Sequence, residues 1–93
     1  MELPIEYSKT HYSKRKQARL EYIKRQDGLC HYCKHALTEA PPKEITDKPL
    51  NVRLFPPHFL SYPIHLHHSH DTDLTIGAVH SYCNGVLWQY EGE

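Results

Sequence analysis

The chain has 93 residues, a net charge of zero and a hydrophobic fraction of 39%, which fits one folded domain and excludes a disordered protein. Its apolar runs are only a few residues long, and its first residues lack the basic start and apolar stretch of a signal peptide. We therefore expect a soluble, cytoplasmic protein with no membrane partner.

The front third of the chain is predicted to form an irregular arm over 1–12 and a basic helix over 13–27. Residues 1–35 carry eight Lys or Arg against four Asp or Glu, a net charge of +4, and residues 36–93 carry three against seven, a net charge of −4. The basic part is a candidate surface for phosphate groups. A solvated helix face explains the same charges, and charge alone favours it.

An apolar stripe at three-to-four spacing predicts the basic helix. The stripe consists of Ala18, Leu20, Tyr22 and Ile23. Ser8 or Ser13 is a candidate N-cap, and Asp27-Gly28 is a stop signal. Lys and Arg cover much of the remaining helix surface.

A Cys-x-x-Cys pair within 28–35 predicts a zinc knuckle directly after this helix. The chain has nine histidines and three cysteines, and an odd number of cysteines argues against a disulfide framework. A second pair with the same spacing lies where the chain enters its last helix, and 46 residues separate Cys33 from His80. The ligands predicted for one closed, structural zinc site are Cys30, Cys33, His80 and Cys83.

Two alternatives to this tetrad remain open. Free thiols are also ordinary buried residues, and His31 or His35 can take the place of His80 as the fourth ligand. The tetrad is favoured because it uses all three cysteines and because a chain this short benefits from a metal that ties distant segments together.

The back two thirds of the chain are predicted to be a loop followed by a strand–strand–helix unit. Residues 36–64 contain six of the seven prolines, which predicts a semi-rigid loop over 36–61 with one short strand near Val52–Phe55. The unit over 62–91 consists of strands Tyr62–His68 and Leu74–His80, a polar turn between them, and a helix over Tyr82–Tyr90. The fold class is therefore α+β, in a single domain over 1–93.

A run of four histidines within six residues ends the first of these strands. The histidines are His65, His67, His68 and His70. Such a run supplies imidazoles that titrate near neutral pH. Exposed histidines without a function, or an adventitious metal site, explain the run as well. Asn84 follows Cys83 at the helix start, and a zinc ion that ties Cys83 to Cys30 would make Asn84 project back toward His67 and His68.

These residues resemble the signature of phage recombination endonuclease VII and its HNH relatives. That signature runs Asp-His-x-His, a Thr-Gly-type turn, Arg-Gly, and Leu-Cys-x-x-Cys-Asn. Here the matching segments are 67–70 and 76–84, together with Cys30 and Cys33. The resemblance covers 13–91 and implies a small ββα-metal (HNH, His-Me finger) domain with a structural zinc knuckle and an N-terminal basic helix.

The resemblance also implies a role for each matching residue. His68 is the general base that activates water, and His70 assists the phosphate or the leaving group. His67 and Asn84 hold a single divalent ion. In the zinc tetrad, His80 stands where the family has a cysteine.

The chain departs from the family pattern at three positions. His67 replaces the family's metal-binding Asp, as in the His-His doublet of colicin-type DNases, and a neutral ligand weakens Mg²⁺ and favours Mn²⁺, Co²⁺, Ni²⁺ or Zn²⁺. The family's Arg before Gly is Ile76 here. A helix carboxylate of endonuclease VII is replaced by Leu87, and Glu91 is only a weak substitute.

The function that the resemblance implies is metal-dependent hydrolysis of DNA by an endonuclease. We expect a nickase, a monomer or homodimer, with DNA as partner in a bacterial or phage-infected cell. Its cofactors would be structural Zn²⁺ and catalytic Mg²⁺, Mn²⁺ or another divalent transition metal. The alternative is a non-catalytic zinc-binding module for nucleic acid or protein. A metal-storing histidine-rich protein is a third hypothesis.

Overall fold

The computed structural model describes residues 1–92 and gives a small α+β domain, as predicted. Its elements are, in chain order, α1 (Tyr12–Arg25), α2 (Lys43–Thr46), β1 (Ile64–His68), β2 (Thr75–His80) and α3 (Ser81–Glu91). The strand–strand–helix order of the back part is therefore present. Over the same residues, no helix combines the length and the apolar character needed to cross a bilayer.

Helix α1 begins one residue earlier than predicted, and neither predicted serine caps it. The cap is His11, whose Nδ1 accepts a hydrogen bond from the backbone N–H of Ser13 at 3.2 Å. Ser8 instead binds Asp73 through its backbone N–H and its hydroxyl. Asp27 and Gly28, both with positive φ, follow the helix end. The helix boundary is thus set by local side-chain bonds and by residues that tolerate left-handed backbone.

The two strands form an antiparallel hairpin with an irregular register at one end. His67 lies opposite Gly77, and His68 lies opposite Thr75, so β2 contains one extra residue, Ile76. A bulge of this kind bends the strands and changes the direction of neighbouring side chains. It lies at the point where the histidine run ends β1.

The core lies where the knuckle meets the hairpin and α3. The buried residues that cluster there are Cys30, Leu37, Ala78, Val79 and Cys83, and the other buried hydrophobic residues are Ala18, Leu66, Val86 and Leu87. Tyr22 and Ile23 of α1 pack against this cluster, whereas Leu20 is exposed and does not belong to the buried face. Two of the five clustered residues are predicted zinc ligands, so the predicted metal site and this part of the core share one location.

The N-terminal arm is irregular, as predicted, but it is held against the hairpin. The backbone N–H of Tyr7 donates to the Asp73 carbonyl at 2.8 Å, and that of Thr75 donates to the Ile5 carbonyl at 3.0 Å. Hydrogen bonds from Ser8 also lower the pKa of the Asp73 carboxyl. The arm therefore extends the hairpin beside β2 and keeps Tyr7 in a fixed place.

The proline-rich segment, residues 36–61, packs against α3. Gln89 Nε2 donates to the Pro49 carbonyl at 3.1 Å, and the Asn51 N–H donates to Gln89 Oε1 at 2.8 Å. The strand predicted near Val52–Phe55 is wrong, because Val52–Leu54 forms a 3-10 turn in which the backbone N–H of Arg53 donates to the side-chain oxygen of Asn51. The hydrogen bonds of Gln89 hold part of the segment against α3.

Gly77 of β2 allows the knuckle to approach closely. A Cβ at this position would lie 2.8 Å from Gln26 Oε1 and 3.0 Å from His31 Cβ. Gln26 is tied to β2, since its Oε1 accepts from the Ala78 N–H and its Nε2 donates to the Ala78 carbonyl, each at 2.9 Å. An added methyl group would therefore displace bonded groups rather than a free side-chain end.

We expect Gly77→Ala to lower the free energy of unfolding by about 1–3 kcal/mol, the usual cost of overpacking. Urea denaturation of the zinc-loaded protein measures this change. Gly85→Ala is the matched control, because its Cβ would meet the mobile methyl end of Leu50 at 2.7 Å and alanine also favours the helix. Equal stability of Gly77→Ala and the unchanged chain would contradict the close approach.

Candidate functional site

The four predicted zinc ligands converge in one cluster. They are Cys30, Cys33, His80 and Cys83, and their ligand atoms all lie within 4.8 Å of one another. His80 Nδ1 lies 3.4 Å from Cys33 Sγ and 3.6 Å from Cys83 Sγ. Ligand atoms around one tetrahedral zinc ion lie roughly 3.4–3.8 Å apart, given its usual bond lengths. The cluster can therefore hold a metal ion such as zinc, as predicted.

The orientation of His80 suits metal binding. Its Nε2 lies 2.9 Å from the Ala36 carbonyl and 2.8 Å from the Glu39 carbonyl, so Nε2 carries the proton and donates it. Nδ1 is then unprotonated and faces the sulfur atoms. A second partner that fixes the ring in this way is the usual arrangement for a metal-binding histidine. His31 and His35, the alternative ligands, are exposed and lie outside the cluster.

The sulfur atoms influence one another's ionisation. A hydrogen bond with Cys83 lowers the pKa of Cys30 to about 4, and the same hydrogen bond, with burial, raises the pKa of Cys83. Without a cation, the buried thiols thus compete for one negative charge. A bound divalent cation relieves this competition, because it stabilises several thiolates together.

A separate cleft of about 1000 Å³ lies between α1, β1 and the proline-rich segment. We call it the histidine cleft. Its lining includes the four residues predicted for catalysis, namely His67, His68, His70 and Asn84. None of the four zinc ligands is among the described residues that line it. The domain therefore separates a closed cysteine-rich cluster from an open cleft rich in imidazoles.

His68 is held between two other rings in this cleft. The Tyr7 ring stacks on it with centroids 3.8 Å apart and an interplanar angle of 4°, and the His70 ring lies on it at 4.9 Å. Arg15 in turn lies over the Tyr7 ring at 4.3 Å. Burial, and then the charge of His70, lowers the pKa of His68. The stack fixes the ring plane of His68 and favours its neutral form.

Asn84 projects toward β1, where it meets a histidine for which no separate role was predicted. Its Nδ2 lies 3.1 Å from Nδ1 of His65. Burial lowers the pKa of His65, and the nearby charge of Arg19 adds to this shift. His67, two residues along β1, is only 3% exposed. The two-residue period of a strand is the signal that could have grouped His65 with His67.

Tyr7 is another cleft residue that the sequence did not indicate. It comes from an arm with no periodic pattern, and its place beside His68 depends on the arm's backbone bonds to Asp73 and Thr75. No local sequence signal reports a contact between residues so far apart in the chain.

Comparison of the chain with protein-family models, with curated proteins and with solved structures gives no match.

Proposed function

We propose that the chain is a metal-dependent DNA endonuclease of the HNH (ββα-metal) class that nicks DNA. The observation that carries this proposal is the histidine cleft, which gathers His67, His68, His70 and Asn84 beside cationic side chains of α1. A purely structural zinc module needs only the cysteine-rich cluster. It gives no reason for a second group of polar side chains around an open cleft.

His68 is suited to act as general base. Its ring is fixed by Tyr7 and His70, and it faces an open cleft rather than the core. In the proposed reaction, water attacks phosphorus and transfers a proton to the imidazole of His68. The bond between phosphorus and the 3′-oxygen breaks, and the 3′-oxygen takes a proton from solvent water, which leaves a 5′-phosphate and a 3′-hydroxyl. His70, stacked on His68, is placed to contact the phosphate or the leaving oxygen.

His67 and Asn84 are the proposed ligands of the catalytic ion, which is Mg²⁺, Mn²⁺ or another divalent transition metal. When bound, such an ion stabilises the charge that develops on the scissile phosphate. His65 accepts from Nδ2 of Asn84, so the amide oxygen is the atom of Asn84 that would bind the ion. Among residues 1–92 the cleft histidines form no group of three close ligand atoms, so the ion would be weakly held and exchangeable.

The cysteine-rich cluster is proposed to hold zinc with a structural role. Four protein ligands leave no open position for water or phosphate, so this site would not catalyse the reaction. Its place in the core ties the knuckle to β2 and α3, and through them it supports Asn84 at the start of α3.

The test uses an end-labelled DNA fragment incubated with zinc-loaded protein in Mg²⁺, in Mn²⁺, in Ni²⁺ and without added ion. We expect internal cuts only where an ion is added, with 5′-phosphate and 3′-hydroxyl ends. The control variant is His35→Ala, which removes an exposed imidazole outside the cleft and should cut normally. Intact DNA in every ion, from a folded protein that carries one zinc, would overturn the proposal and favour a non-catalytic module.

His65 is expected to position Asn84 for the ion. His65→Leu removes the Nδ1 acceptor, and loss of such a supporting hydrogen bond weakens metal affinity by roughly 10–100-fold. The Mn²⁺ concentration that gives half-maximal cleavage should therefore rise about tenfold or more. His65→Gln keeps an acceptor and should recover part of the loss. Unchanged Mn²⁺ dependence in His65→Leu would show that His65 does not position Asn84.

A further inference from the structure

Cationic side chains line the histidine cleft, and Asp73, whose carboxylate partly offsets the lowering of the His68 pKa, lies outside this lining. Among the described residues, Arg15, Lys16 and Arg19 line the cleft, and no Asp or Glu does. None of these three cations forms an ion pair with a carboxylate within residues 1–92. The whole chain has zero net charge, so this is a local concentration of unpaired positive charge. Such a surface fits the phosphates of a polynucleotide.

The rim of the same cleft carries exposed aromatic rings. Tyr12 is 73% exposed, Tyr62 is 68% exposed and Trp88 is 39% exposed. They come from three separate segments, α1, the chain just before β1, and α3, and all three line the cleft. Large rings left in solvent beside cationic side chains are the combination with which proteins hold single-stranded nucleic acid, since bases stack on the rings and phosphates meet the cations.

The position of His68, the candidate general base, also favours a single strand as the ligand. His68 lines a cleft with α1 on one side and the segment around Phe59 on another, so a phosphate bound inside the cleft comes within reach of it. A single strand is flexible enough to place a phosphate there. A duplex keeps its bases stacked away from the aromatic rim, and bending it into a cleft costs deformation energy.

We infer that the histidine cleft binds an unpaired strand of DNA, with phosphates on Lys16 and Arg19 and bases on the rings of Tyr12, Tyr62 and Trp88. This inference deepens the proposed function and rests on it for the choice of DNA. The nuclease then cuts single-stranded or locally unpaired DNA in preference to a continuous duplex.

Binding is measured apart from cutting, with zinc-loaded protein, no added divalent ion and no chelator. The probes are a thymidine oligonucleotide of about 12 nucleotides, within the range of known single-strand sites, and the duplex of the same length. Trp88 is the chain's single tryptophan, so its fluorescence reports occupancy of the cleft directly. We expect the single strand to quench Trp88 and to bind at least about tenfold more tightly than the duplex.

Two matched pairs of variants locate the contacts. Tyr62→Ala should weaken single-strand binding about tenfold, and Tyr62→Phe, which keeps the ring, should bind normally. Lys16→Ala should weaken binding and reduce its salt dependence, whereas Lys14→Ala, an exposed lysine on α1 outside the cleft, should not.

Equal or tighter binding of the duplex would overturn the inference. So would unchanged binding by Tyr62→Ala, because the cations alone would then hold the strand. If the chain binds single strands as described but cuts no DNA, this inference stands and the proposed nuclease activity is wrong. If the chain cuts duplex DNA without any preference for single strands, the proposed nuclease activity stands and this inference is wrong.

Discussion

Replacing Cys30 with serine is expected to unfold most of the protein. Cys30 is 0% exposed and belongs both to the core and to the four-ligand cluster. Structural zinc contributes about 10–16 kcal/mol of apparent binding free energy in small domains, as much as or more than the net stability of a typical fold. A serine hydroxyl is a poor zinc ligand, and its burial without the metal adds the cost of a desolvated polar group.

Circular dichroism and zinc content measure this outcome. We expect Cys30→Ser to lose bound zinc and its cooperative thermal transition together. A chelator should have the same effect on the unchanged chain, and added zinc should reverse it. His35→Ala is the control, since His35 is exposed and lies outside the cluster. A folded, zinc-free Cys30→Ser protein would contradict a structural role for the metal.

His68→Ala is expected to lower the single-turnover cleavage rate by roughly 10² or more, the range that loss of a general base produces. The fold should survive, because His68 is only partly buried at the end of β1 and its loss removes ring contacts worth about 1 kcal/mol. The rate is measured on labelled DNA at saturating Mn²⁺, with zinc content and the unfolding midpoint determined in parallel.

The matched comparison is again His35→Ala, which removes an imidazole of the same chemistry from outside the cleft. His70→Ala should slow cleavage less than His68→Ala, since its proposed role is assistance rather than proton abstraction. Full activity of His68→Ala would remove His68 from the mechanism.

The zinc ligands could be predicted from the sequence because short spacings decide most of their geometry. Two residues separate the ligands within each pair, so the chain itself brings them close. Cys30 and Cys33 lie on a turn, and His80 and Cys83 lie at a helix start. The small number of cysteines then left few ways to join the two pairs. Helices α1 and α3 and strands β1 and β2 were likewise predicted to within a few residues, because their periodic patterns are local, whereas the short helix α2 lies in the segment predicted to be a loop.

The contacts that complete the cleft depend on tertiary docking and could not be predicted. Tyr7 reaches His68 only because the arm binds β2, and His65 meets Asn84 only after α3 packs against the hairpin. The error at Val52–Phe55 has a local cause, since the Asn51 side chain and the following proline favour a 3-10 turn over the strand preference of Val and Phe.

The most direct measurement of the central claim is relaxation of supercoiled plasmid by the zinc-loaded protein as Mn²⁺ is raised, beside His68→Ala at equal zinc content. We expect open circles to appear with increasing Mn²⁺ for the unchanged chain, to be nearly absent for His68→Ala, and zinc to stay at one ion per chain. Plasmid that stays supercoiled at every Mn²⁺ concentration, or equal relaxation by His68→Ala, would contradict a nuclease site in the histidine cleft.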